Sequence, residues 1–177
     1  MPDLDRFEPE LVLRALVGNG VAFVVIGGYA ATLHGSPSLT LDADVCAARD
    51  RDNLERLVAA LREVHARIRT DAFPEGVAVT LDARFLEQMK MVNLVTDGGS
   101  FDLAFEPAGF PEGYAGLAPH AVGYDIDGLV VPTAALADII RSKEAADRPK
   151  DRAVLPILKA LQDEIAYREQ SSPGVMP

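Results

Sequence analysis

The segments Val21-Ala22-Phe23-Val24-Val25-Ile26-Gly27-Gly28 and Leu39-Thr40-Leu41-Asp42-Ala43-Asp44-Val45-Cys46-Ala47 decide the fold. The first begins as an unbroken apolar, largely β-branched run, which predicts a buried strand ended by its two glycines. Tyr29 to His34 predicts a short helix closed by Gly35, and Ser36-Pro37-Ser38 predicts a loop. Leu39 to Ala47 predicts a second strand that carries two aspartates.

The spacing of those aspartates points to chemistry. Residues two apart on a strand face the same way, so Asp42 and Asp44 project together while Leu41, Ala43 and Val45 face the other side. Neighbouring carboxylates repel each other, and a bound cation is the usual resolution. An all-oxygen donor set suits Mg²⁺ or Mn²⁺. A solvated strand edge explains an isolated pair equally well. An EF-hand loop fits poorly, because Cys46 and Asn53 stand where that loop needs an oxygen-donor side chain and a bidentate glutamate.

Asp102 repeats the theme within Ser100 to Phe105. Phe101, Leu103 and Phe105 form one face of this strand, and Asp102 lies on the other with Ala104. An acid in an otherwise apolar strand needs a partner or a metal. A salt bridge or a strand end is the commoner explanation for one such residue alone. If this strand lies beside the one bearing Asp42 and Asp44, three carboxylates converge in the geometry of two-metal nucleotidyl transfer. Gly27-Gly28 between strand and helix lets the backbone approach a phosphate closely, and the helix start offers free N–H groups. A tight strand-to-helix turn is the plainer reading of the same glycines. No Walker A sequence is present, and Gly18-x-Gly20 lacks the third glycine of a dinucleotide fingerprint.

Elsewhere, Glu8 to Val17 predicts a helix stopped at Asn19-Gly20. Asp50 to Arg67 predicts an amphipathic helix through Leu54, Leu57, Val58, Leu61 and Val64, capped by Asp50 or Asp52. Val77 to Leu81 and Met89 to Val95 predict strands, the latter in a hairpin with Ser100 to Phe105 through Asp97-Gly98-Gly99. Pro107 to Pro119 reads as a loop, and Ala121 to Val131 as two short strands around Asp127-Gly128. Thr133 is expected to cap a helix from Ala134 to about Ala146, and Pro149 to start a last helix running to about Tyr167. The expected architecture is α/β (α+β): a mixed sheet flanked by helices, with a C-terminal helical element. It divides into a core over 1–132, the helical element over 133–170 and a loose tail over 171–177.

Composition narrows the function. The 177 residues are 49% hydrophobic and 25% charged, enough to bury a core. A net charge of −10 argues against broad nucleic-acid coating. It leaves room for a local basic pocket, and Arg141, Lys143, Arg148, Lys150 and Arg152 are crowded into one short stretch. Glu144, Asp147 and Asp151 can neutralise that stretch as an ordinary solvated junction. Cys46 stands alone, and His34, His65 and His120 have no zinc spacing. Cys46 reads as a small buried residue, His34 as packing or capping, and Tyr29 as a core residue or a platform for a base. The start of the chain lacks an apolar signal core, and no run approaches the ~20 residues that span a bilayer. A cytoplasmic protein with no membrane partner is therefore expected.

Taken together, Ile26-Gly27-Gly28-Tyr29-Ala30, His34-Gly35 and Leu39-Thr40-Leu41-Asp42-Ala43-Asp44-Val45 resemble the signature of small bacterial nucleotidyltransferases of the DNA polymerase β-like superfamily. Ser100-Phe101-Asp102-Leu103 resembles the strand with the third carboxylate. Arg141 to Asp151 resembles the Lys…Arg-x-Lys-Asp element of the abortive-infection toxin branch. The resemblance covers roughly Val21 to Leu161. It implies Mg²⁺- or Mn²⁺-dependent transfer of a nucleoside monophosphate from an NTP to a hydroxyl of RNA (a tRNA end, for example), a protein or a small molecule. A cognate antitoxin is the implied protein partner. Asp42 and Asp44 would bind metal, and Asp102 would bind metal or act as base. Gly27, Gly28 and Lys143 would contact the nucleotide. Asp151 would support the acceptor or orient Lys143. The pattern departs at Ser38, where this branch often has an arginine.

Overall fold

A computed structural model describes residues 7–171. The first six residues and the expected tail beyond Ser171 lie outside the described part. An eight-stranded mixed sheet carries helices on its faces, as the sequence leads one to expect. Its strand order is β4-β3-β5-β6-β2-β1-β8-β7. The strands are β1 (Phe23–Ile26), β2 (Asp42–Ala47), β3 (Arg67–Thr70), β4 (Phe73–Val77), β5 (Met91–Thr96), β6 (Gly99–Ala104), β7 (Val122–Ile126) and β8 (Leu129–Thr133).

The centre of the sheet is the hydrophobic part. β1 lies antiparallel to β2, with Val25 opposite Val45, and both residues are fully buried. β6 closes the other side of β2 in parallel. The helix α1 (Pro9–Gly18) buries Val12, Leu13, Ala15 and Leu16, and α3 (Arg51–Glu63) buries Leu54, Leu57, Val58 and Leu61. Asp50 caps α3 by accepting from the Asn53 backbone N–H at 3.0 Å. Asn53 is itself completely buried and stitches β1 to β2. Its Oδ1 accepts from Ala22 N at 2.7 Å, and its Nδ2 donates to Ala22 O at 3.0 Å and Ala48 O at 2.8 Å.

The elements downstream run as follows. The hairpin of β5 and β6 turns at Asp97-Gly98, and the short helix α4 (Ala83–Glu87) is capped by Asp82. The segment expected as a loop from Pro107 to Pro119 includes α5 (Tyr114–Leu117). β8 adds in parallel to β1 at Val25–Thr133. α6 (Leu136–Ala146) and α7 (Pro149–Ser171) then return over the sheet. His34 ties these parts together. Its Nε2 donates to Ala134 O at 2.7 Å, which leaves Nδ1 to accept from the Tyr124 hydroxyl at 2.8 Å.

Several expectations are corrected. First, the strand expected at Val77 to Leu81 is displaced toward the N-terminus: β4 ends at Val77 and β3 lies before it. The α3 helix stops at Glu63, because His65 takes a positive φ of 50° and breaks it. Arg67–Thr70 is thereby released to pair with β5 through Ile68–Leu94. Second, the strand bearing the aspartates begins at Asp42 rather than Leu39. Leu39 is 98% exposed and has no sheet neighbour to bury it. Third, Thr133 does not cap α6: it ends β8, and its hydroxyl donates to Val131 O. Fourth, Gly27 and Gly28 do not precede the helix but form the first turn of α2 (Gly27–Leu33). No described helix is long and apolar enough to cross a membrane.

Asn53→Ala would strand the Ala22 N–H and the Ala48 carbonyl, half-buried groups at the β1 entry and the β2 exit, while Ala22 O keeps the Ala48 N–H. It is expected to lower unfolding stability by about 2–4 kcal/mol in urea titration, whereas Asp52→Ala, on the exposed side of the same turn, should cost little.

Candidate active site

The parallel pairing of β2 with β6 sets Asp42 opposite Ser100 and Asp44 opposite Asp102. All three carboxylates therefore stand on one sheet face, at the wall of a cleft of ≈ 810 Å³. Gly27 is glycine for a local reason. Its φ is +69°, and a Cβ there would lie 2.5 Å from Asp44 Oδ2. Gly28 is similarly close, with the Thr40 hydroxyl 3.2 Å from where its Cβ would be. The glycines thus allow the first turn of α2 to lie directly against the aspartate strand.

The site is electrostatically strained on its acidic side. Burial, then the Asp42 and Asp102 charges, push the Asp44 carboxyl up to about 7, against a smaller pull from Lys150 and Lys143. Burial likewise raises Asp102 despite the adjacent Arg69 guanidinium. Asp42 is held by the Thr40 hydroxyl, which donates to its Oδ1 at 2.8 Å. Asp102 Oδ1 accepts from Arg69 Nη2 at 3.0 Å.

Across the cleft, α6 and α7 supply cations. Lys143, Arg148 and Lys150 all line the cavity. Asp151 sits behind them, 0% exposed, and organises two of the three. It accepts from Arg148 Nε at 2.6 Å and from Lys143 Nζ at 3.3 Å. It also accepts from the Arg148 backbone N–H at 3.2 Å. Burial opposes its ionisation, but the Arg148 hydrogen bond and the Lys143 and Arg148 charges outweigh burial and hold the carboxyl below its ordinary value. Lys150 has no ion pair among the described residues and acts on Asp44 and Asp102 through space.

One cleft thus gathers Asp42, Asp44, Asp102, Gly27, Gly28 and Lys143. Asp151 is brought against Lys143, fully buried, and does not line the cavity. Sequence reasoning passed over Thr40 and Arg69. Arg69 lies on β3, and the alternation Arg67-Ile68-Arg69 was its only signal. Tyr29 is buried against Phe7, with ring centroids 5.8 Å apart, and Cys46 is fully buried. Neither presents a surface to a base.

The donor set fits a hard divalent cation: oxygen only, charged, and clustered at a cost that a cation would relieve. Among the described residues no three acidic, His or Cys side chains are already drawn to the spacing of a single ion.

Comparison with solved structures shows the nucleotidyltransferase fold. The lincosamide antibiotic adenylyltransferase LnuA, in its lincomycin-bound crystal structure, superposes with a TM-score of 0.57 at 11% identity, over 88% of this chain and 99% of that one. TM1012 of Thermotoga maritima, provisionally named a nucleotidyltransferase, gives 0.52 at 17% identity, over 89% and 96%. The antibiotic-resistance factor ANT(2'')-Ia gives 0.50 at 13% identity, over 92% and 91%. No protein-family model matches the sequence, and no curated protein matches it.

Two stability effects of opposite sign are expected. Asp44→Asn removes a buried repulsive charge and should raise the melting temperature at pH 8 in EDTA by a few degrees. Asp151→Asn loosens a buried carboxylate from two cations and should cost about 2–3 kcal/mol at neutral pH. Because the folded carboxyl is depressed, that difference should hold constant down to the ordinary value of 3.8 and shrink as pH falls below it. Paired denaturant titrations from pH 8 to pH 3 measure it.

Proposed function

We propose that the protein is a metal-dependent nucleotidyltransferase that moves a nucleoside monophosphate from an NTP to an acceptor hydroxyl. The observation carrying this reading is the Asp44–Asp102 register. It aligns three carboxylates on one sheet face of a nucleotidyltransferase fold, with Lys143 and Lys150 across the cleft.

Asp42, Asp44 and Asp102 would hold Mg²⁺ or Mn²⁺, which when bound would neutralise charge on the phosphate oxygens and acidify the acceptor hydroxyl. The chain's own groups do the rest. The backbone at Gly27-Gly28 takes the phosphates at close range, as no side chain intervenes. Lys143, steadied by Asp151, and Lys150 balance the triphosphate charge. The acceptor oxygen attacks the α-phosphorus, the bond from that phosphorus to the bridging oxygen breaks, and pyrophosphate leaves. The hydroxyl proton would pass to Asp102 where that carboxylate serves as base, or to solvent where it holds the cation.

The acceptor decides the biology. An RNA or protein hydroxyl would point to toxin or defence work with an antitoxin partner. A small molecule would point to antibiotic modification, in keeping with a lincosamide antibiotic adenylyltransferase and an antibiotic-resistance factor among the structural neighbours. A second reading, a nucleotide-binding module without turnover, is favoured by one observation: Arg69 engages Asp102.

Label transfer from each α-labelled NTP, with Mg²⁺ or Mn²⁺, separates these readings. Total tRNA, cell protein, and a panel of antibiotics that includes lincosamides serve as acceptors. Wild type is expected to label one acceptor class, and Asp42→Ala and Asp44→Ala to fall to background. Nucleotide binding without label in any arm supports the module. Neither label nor binding removes the phosphate site altogether.

A further inference from the structure

Among the described cations that line the cleft, Arg69 comes from the sheet, whereas Lys143, Arg148 and Lys150 come from α6, α7 and the turn between them. It leaves β3, and β5 lies between β3 and the strand of Asp102. Its guanidinium reaches over β5 to make a single-point contact, Nη2 to Oδ1 at 3.0 Å. The pair is mostly withdrawn from water, with the Arg69 side chain 30% exposed and that of Asp102 17%. Yet the pairing leaves Arg69 poorly satisfied. Its Nε is buried with no partner among the described residues, as are those of Arg49 and Arg67, and a guanidinium has five donors to place. An unmade buried donor is costly, so this contact is one arrangement of a group with donors to spare, in a cleft that Lys143, Arg148 and Lys150 also line.

The same oxygen of Asp102 cannot serve Arg69 and a divalent cation at full strength. A planar guanidinium that is released finds a better match in a phosphate, which can take two parallel hydrogen bonds. We propose that Arg69 is an internal counter-cation that holds Asp102 until a divalent cation takes that carboxylate, and then binds the triphosphate. This rests on the metal-dependent reading above and adds to it a coupling between the two ligands. Cation binding frees the group that the triphosphate needs, and triphosphate draws away the group that competes with the cation. Each therefore strengthens the other's binding by the same factor.

The test is Mn²⁺ binding to the full chain by calorimetry, followed by binding of inorganic triphosphate at saturating Mg²⁺. Arg69→Gln is expected to bind Mn²⁺ alone about tenfold more tightly than wild type and triphosphate about tenfold more weakly. Arg67→Gln removes the same charge from the same strand without touching Asp102, and should leave Mn²⁺ affinity near wild type. If Arg69→Gln does not fold, Arg69→Lys carries the test, because its shorter side chain without the planar fork should shift both affinities in the same directions. Mn²⁺ affinity unchanged or weakened in the folded variant overturns the proposal, as does an equal gain in Arg67→Gln. Absence of Mn²⁺ binding in both wild type and Arg69→Gln strikes at the metal reading itself and takes this inference with it.

Discussion

The parallel ladder between β2 and β6 brings two separately encoded acidic strands into one row, with Asp44 beside Asp102 and Asp42 one pleat along. Burying like charges this way costs free energy, and the rest of the molecule is arranged around that cost. The cost shows in Asp44, whose carboxyl is driven toward neutrality by burial and by its two neighbours. Apolar strand faces on the other side of the sheet, with Val25, Val45 and Leu103 fully buried, hold the ladder in register against it.

Counter-charge arrives from both ends of the chain's middle. Thr40 and Arg69 engage the acids directly, and Lys143, Arg148 and Lys150 face them across the cleft. Asp151 makes the second arrangement possible. Cations gathered at a helix junction would repel one another, and a fully buried carboxylate between Lys143 and Arg148 fixes both. A chain of net charge −10 can thus present a local cationic wall. The glycines complete the enclosure, since a methyl group at Gly27 would collide with Asp44.

Much of this was legible in the sequence wherever a period or a strong local signal was present. The β1 run, the D-x-D strand, the amphipathic α3 and the β5–β6 hairpin all follow from spacing, and so does the sidedness of Asp42, Asp44 and Asp102. The failures lie where tertiary pairing overrode local preference. Arg67 looks like the end of a helix, because the hydrophobic spacing of α3 runs up to Val64, and Ile68 to Thr70 carry no period of their own. Only the positive φ at His65 and the waiting edge of β5 turn the stretch into a strand. Arg69 was missed with it. Leu39 and Leu41 look like strand residues by type, but no neighbour pairs with them.

The sequence by itself determined which residues are acidic, which faces they share, and where the chain must turn, because the two-residue period of a strand and the torsional freedom of glycine are local properties. It could not determine that β6 lies beside β2 and in parallel, since strand pairing joins residues some sixty apart through a sheet order set by the whole hydrophobic core. It could not show that Asp151 is buried while Lys143 is held at the cleft, or that Arg69 spans a strand to reach Asp102. Those contacts depend on side chains converging from elements distant in sequence, and only the packed sheet with its covering helices fixes the distances between them.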